Sequence, residues 1–138
     1  MRRNYQTQWA SQFYAAAELT RRGYLVSLTF GNAPESDLLV HSDYSDNNFT
    51  VDVKGQSSMN FWLIQPRKPN PNHYFILVYL PSGYKQPKYF IISSDMLMKK
   101  REEYKNRMMP KGKYKDALGG INWSTALECE NKWDDLPK

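Results

Sequence analysis

Apolar side chains recur at helical spacing near the start of the chain, at Trp9, Phe13, Ala16, Ala17 and Leu19. That stripe predicts an amphipathic helix over residues 6–22, with Thr7 as its cap. Arg21 and Arg22 fall in its last turn, where cations complement the helix dipole, and Gly23 supplies the stop. The period then changes to two. Residues 24–30, 37–41 and 49–54 read as strands, separated by a Gly31-Asn32-Ala33-Pro34 turn and a polar turn over 43–48. Gly55 and the polar residues after it release the chain from the sheet. Residues 66–72 hold three prolines and two basic residues and read as loop. The apolar run 73–80 predicts a buried strand, and 88–93 another after the Pro81-Ser82-Gly83 turn. Ser94 and Asp95 are expected to cap a second helix that runs to about residue 107.

Helix, three strands, loop-rich crossover, two strands, helix: this order predicts an α/β fold, a central mixed β-sheet of about five strands flanked by helices. A length of 138 residues fits one domain with its own core. The core is expected over about 6–107, followed by a basic loop and a tail over 108–138 packed by Trp123 and Trp133. No apolar run reaches membrane-spanning length, the N-terminus lacks a signal-peptide stretch, and the lone Cys129 leaves no internal disulfide. A cytoplasmic location, with no membrane partner, is the expectation.

Charge adds a preference. The net charge of +5 and a pI near 9.3 favour anionic partners. The excess is concentrated between Lys99 and Lys115, where Glu102 and Glu103 are the only acids. Two readings of that run stay open, a solvated helix and loop or a phosphate-tracking surface. On the second, Lys99, Lys100, Arg101, Lys111 and Lys113, with Arg67 and Lys68 of the proline-rich loop, are the candidate nucleic-acid contacts.

The candidate chemistry lies in Pro34-Glu35-Ser36-Asp37-Leu38-Leu39-Val40 and Thr50-Val51-Asp52-Val53-Lys54. Two residues apart in a strand, Asp52 and Lys54 share one face, and Val51 and Val53 point the other way into a core. Asp37, opening the preceding strand, is placed to meet Asp52 across the pair. Two carboxylates and an ammonium at one end of a sheet suit a magnesium-dependent phosphodiesterase. The triplets at Glu103-Tyr104-Lys105 and Glu130-Asn131-Lys132 lack an acid-led strand before them.

A helix ending in Arg-Arg-Gly-Tyr, a strand, Asp-Leu-Leu-Val and then Val-Asp-Val-Lys resembles the PD-(D/E)XK, or restriction-endonuclease-like, nucleases. The small stand-alone members similar to Holliday-junction resolvases come nearest. Motif-level likeness covers about residues 11–56, and beyond that only the order of elements. The resemblance implies an αβββαβ-type core, with Asp37 and Asp52 holding one or two magnesium ions (manganese able to substitute) and the Val53 carbonyl as a further ligand. Lys54 would position the attacking water, and Gln56 would touch the water or the phosphate. Many relatives carry a glutamate in the first helix; Gln12 stands at that position, and its amide can accept a hydrogen bond from a metal-bound water without adding charge.

Other chemistry is not indicated. One cysteine and two histidines do not make a zinc site, His41 and His73 read as structural or surface residues, and the glycines form no phosphate loop. No small-molecule cofactor is expected. The expected function is metal-dependent endonucleolytic hydrolysis of duplex or branched DNA, by a homodimer because two strands need two sites. The alternative is a nuclease-fold module with weakened catalysis that binds DNA or a protein partner.

Overall fold

The computed structural model describes residues 2–33 and 36–138, Arg2 and Arg3 by their backbone alone. Pro34 and Glu35, which belong to the predicted turn and the first acidic segment, lie outside the described residues. The chain is α/β. Five strands, β1 (Tyr24–Leu28), β2 (Leu38–Ser42), β3 (Asn48–Gln56), β5 (His73–Tyr79) and β6 (Lys88–Ser93), form one mixed sheet in the order β1-β2-β3-β5-β6. β1, β2 and β3 form an antiparallel meander, β5 runs parallel to β3, and β6 returns antiparallel to β5. Two short strands, β4 (Trp62–Leu63) and β7 (Gly120–Ile121), pair with each other.

Alternation along β3 divides the core. Phe49, Val51 and Val53 face the first helix, α1 (Arg2–Arg21), and pack with Ala15, Leu19, Val40 and Ile76. On the opposite face Phe75, Leu77, Phe90 and Ile92 pack with Trp62, Ile64, Ile121 and Leu97 of the second helix, α2 (Ser94–Met108). The third helix, α3 (Trp123–Leu127), closes that layer, with Trp123 stacked on Trp62. Among the described residues no helix is long and apolar enough to cross a membrane.

Several local expectations shift. α1 begins at Arg2, so Thr7 lies inside the helix and not at its start. The cap of α2 is Ser93, whose hydroxyl accepts from the Met96 amide at 3.2 Å, one residue ahead of the expected Ser94 and Asp95. β1 stops at Leu28 because Phe30 and Gly31 turn the chain with φ of 52° and 85°. The connection from β3 to β5 carries no helix, contrary to an αβββαβ core; three prolines and the short β4 occupy it instead. Gly23 ends α1 at φ 98°, and a β-carbon there would lie 2.6 Å from the Tyr44 ring.

Candidate active site

β2 is shorter than the strand it pairs with. Its last paired residue toward the site is Leu38, opposite Val51, while β3 continues to Gln56. Val51 and Val53 direct their backbone groups toward β2, as the bond from the Asp37 amide to the Val51 carbonyl shows at 2.8 Å. Beyond Asp37 the backbone of Val53 therefore faces space that β2 has vacated. Two side chains fill the ladder positions. Asp37 Oδ2 accepts from the Val53 amide at 2.7 Å, and Gln8 Nε2 of α1 donates to the Val53 carbonyl at 2.7 Å.

The same Asp37 carboxyl meets that of Asp52, on the sheet face away from α1. Asp52 has two cationic neighbours. Lys54 Nζ stands 3.6 Å and an Arg67 guanidinium nitrogen 3.8 Å from its Oδ2. Arg67 comes from the proline-rich crossover and rests over the Phe75 ring, 5.6 Å from its centroid. Only 16% of the Asp52 side chain is exposed. Burial is the main reason its pKa is pushed up to about 7: Lys54 pulls it down, the hydrogen bond and charge of Asp37 push it further up, and Arg67 pulls down more weakly.

Beside this cluster, His73 is buried and bonds through Nδ1 to Thr50 Oγ1 at 2.6 Å. Its Nε2 is buried without a partner among the described residues. Burial, then the Arg67 charge, lowers the His73 pKa to about 4, so the ring is neutral near pH 7. Outward from Thr50, the sheet face of β1, β2 and β3 is uncovered, forming a groove of about 510 Å³ lined by Leu25, Leu39, His41, Asn70 and Asn72.

Asp37, Asp52, Val53 and Lys54 thus come together. Gln12 is buried, and it is Gln8, one turn earlier, whose amide reaches the Val53 carbonyl. Gln56 is engaged with Asn60, accepting from its amide at 3.2 Å and donating to its carbonyl at 3.0 Å. Glu18, six residues beyond Gln12, pairs with Arg21 and Arg22 at 3.4 and 3.5 Å.

The basic candidates separate. Arg67 belongs to the acidic site rather than to an outer phosphate surface. Arg101 is buried: its guanidinium donates to the Ile64 carbonyl and to the Asp116 carbonyl and carboxylate, so it braces the fold from inside. Lys68, Lys99, Lys111 and Lys113 are exposed, and Lys100 lies 3.8 Å from Glu103. Gln8 and Arg67 are the site members whose place the strand motif does not reveal. Their amide and guanidinium chemistry was visible, but their depth in the fold was not.

Among the described residues no cluster of three or more His, Cys, Asp and Glu is present. The donors that do converge are hard oxygens: two carboxylates and the Val53 carbonyl, which accepts one side-chain bond, from Gln8, among the described residues. That set fits a magnesium-type ion, which binds through one or two carboxylates and keeps several waters. Comparison of the chain with protein-family models, with curated proteins and with solved structures gave no match.

Proposed function

We propose that this protein is a divalent-metal-dependent phosphodiester hydrolase acting on duplex or branched DNA, built on a restriction-endonuclease-like core. The observation that carries this reading is the meeting of Asp37 and Asp52 beside Lys54, with Asp52 buried enough to hold its proton near neutrality. A carboxyl pair so placed gains most from a cation that replaces the shared proton. The acid-led β2, the Asp-Val-Lys of β3 and an α1 amide on the intervening carbonyl support the resemblance to PD-(D/E)XK nucleases. The helix-free crossover departs from it.

When bound, magnesium would supply Lewis-acid polarisation of the phosphate and a water of lowered pKa. The chain's residues do the rest. Asp37 and Asp52 hold the cation, and the hydrogen bond from Val53 fixes the Asp37 carboxylate in one orientation. Lys54, a compact point charge at the solvent edge, orients the attacking water and offsets charge on the transition state. Arg67, held over Phe75, brings a second cation to the phosphate side of Asp52. The basic α2 and the loop after it supply sequence-independent contacts to the backbone.

The test is incubation with supercoiled plasmid and with four-way branched DNA, with magnesium or manganese and then with chelator. Metal-dependent nicking that disappears in Asp52→Asn and Lys54→Ala is expected. Undiminished cleavage by Asp52→Asn, or none by the parent with either ion, rejects the reading. A second reading, a DNA- or protein-binding module without turnover, is favoured by one observation: Lys54 and Arg67 already supply Asp52 with two counter-charges. Salt-sensitive DNA binding without nicking would select its DNA-binding form, and protein capture without DNA binding the other.

A further inference from the structure

The two edges of the main sheet are treated differently. On the β6 edge the C-terminal segment adds a partial strand: the Ile91 amide bonds to the Cys129 carbonyl at 3.0 Å, the Asn131 amide to the Tyr89 carbonyl at 2.9 Å, and Phe90 bridges Glu130. On the β1 edge no described strand pairs. Bonds from the Thr29 amide to Asp37 and from the Asp43 amide to Gly23 bracket β1 and set its phase. Tyr24, Val26 and Leu28 therefore turn their N–H and C=O groups outward. Among the described residues nothing hydrogen-bonds to them.

Residues 24–30 contain no charge and no proline, the usual protections of an exposed strand. Exposed apolar side chains flank it on both sides. On the open sheet face Leu25 is 62% and Leu39 44% exposed. On the α1 face Phe13 and Phe30 are 53% and 61% exposed, with Trp9 stacked on Phe30 at 5.6 Å between ring centroids.

We propose that a second copy of this chain pairs antiparallel with β1, joining two five-stranded sheets into one of ten. The edge is self-complementary. A two-fold axis through Val26 places Leu25 opposite Ser27 of the other copy and lets Val26 exchange both backbone bonds with its counterpart. Each copy carries a net charge of +5, yet the strand residues that pair, 24–28, carry none, so like charges do not meet along the ladder.

The axis is perpendicular to the sheet, so both acidic sites emerge on one face of the joined sheet. Five strand spacings separate the two copies of β3, about 24 Å across the sheet. This consequence rests on the proposed function: a duplex laid on that face meets both sites, which suits cutting of two strands. The pairing itself does not depend on it.

Sedimentation equilibrium of the full chain, without DNA or metal, is the test. The parent is expected to run as a dimer at micromolar concentration. Val26→Pro removes an outward N–H, and Leu25→Lys puts a charge on the exposed edge; both should give monomers with unchanged circular dichroism. If proline at 26 disturbs the fold, Leu25→Lys alone decides, because Leu25 is exposed. Leu63→Lys, at an exposed position on the small sheet, should leave the dimer intact. A monomeric parent, or a dimer indifferent to Leu25→Lys, overturns the proposal. Failure of the nuclease reading shows separately, as a dimer that does not nick DNA.

Discussion

The carboxylate of Asp37 accepts the amide proton of Val53 at 2.7 Å, in the place a further residue of β2 would occupy. The ladder is completed by a side chain where the strand has ended. The same carboxyl meets Asp52, so one residue both closes the sheet and builds the acidic site. This double duty explains how a buried acid pair is tolerated. Burial, with the hydrogen bond and charge of Asp37, keeps the proton on Asp52 up to about pH 7.

The two duties of Asp37 separate by substitution. Asp37→Asn retains an oxygen that can accept from Val53 and removes the charge. It should fold as stably as the parent, or more so, and bind no magnesium or manganese in calorimetric titration. Asp37→Ala should also lose about 1–3 kcal/mol in urea unfolding, because a backbone donor is left without its partner. Equal stability of Asp37→Ala and the parent would remove the ladder role.

Gln8 gives a second test. Gln8→Ala leaves the Val53 carbonyl without its donor and should cost about 1 kcal/mol. Gln8→Glu instead sets a carboxylate against a carbonyl beside two other acids. Without metal its Tm should fall below that of Gln8→Ala. With manganese it should rise by more than the parent's does, since a third hard-oxygen charge then faces the ion. A manganese-induced shift no larger than the parent's would place Gln8 outside the metal's reach.

The strand chemistry was legible in the sequence because period-two alternation is local. Val51 and Val53 buried, with Asp52 and Lys54 on the other face, follows from one stretch of chain and is what the fold shows. The five strands and two long helices were legible for the same reason. The choice between Gln8 and Gln12 was not, because helical spacing fixes which residues share a face but not where along β3 the helix crosses. Close approach of α1 is set at Gly55, where a β-carbon would collide with the Ser11 hydroxyl, a contact between residues far apart in sequence. Arg67 was hidden for another reason. A proline-rich stretch reads as exposed loop, and only the tertiary path folds this one back over Phe75. Arg101 did carry a signal, since it follows Ser94 and Leu97 on the buried face of α2 at helical spacing.

Arg101 and the exposed lysines should therefore respond oppositely. Arg101→Ala removes a buried charged donor from the Ile64 and Asp116 carbonyls and should cost about 1.5–3 kcal/mol of stability. Lys111→Ala and Lys113→Ala should leave urea midpoints unchanged. They should weaken DNA binding across sequences and each lower the salt slope by about one. Loss of stability in the lysine variants, with binding intact, would reverse these assignments.

The pH dependence of stability tests the buried pair of titrating groups, Asp52 and His73. Asp52 titrates near 7 in the fold against its ordinary 3.8, so between those limits the folded chain holds a proton that the unfolded chain has released. Its contribution is present at low pH and is lost as pH rises to about 7. His73 titrates near 4 against 6.5, so between those limits the unfolded chain binds the extra proton. Its contribution is present above 6.5 and is lost as pH falls to about 4. Between about pH 4 and 6.5 the two slopes oppose each other, each reaching at most about 1.4 kcal/mol per pH unit. The parent should therefore show a shallow profile there. Asp52→Asn should expose a stability that rises with pH, and His73→Gln one that falls. Binding of magnesium or manganese expels the Asp52 proton, so affinity should climb with pH and level off above about 7. Urea unfolding of the three proteins across this range, with and without metal, measures all of these slopes. Parallel profiles for the parent and Asp52→Asn would mean that Asp52 is ionised throughout, and the shared proton would have to be abandoned.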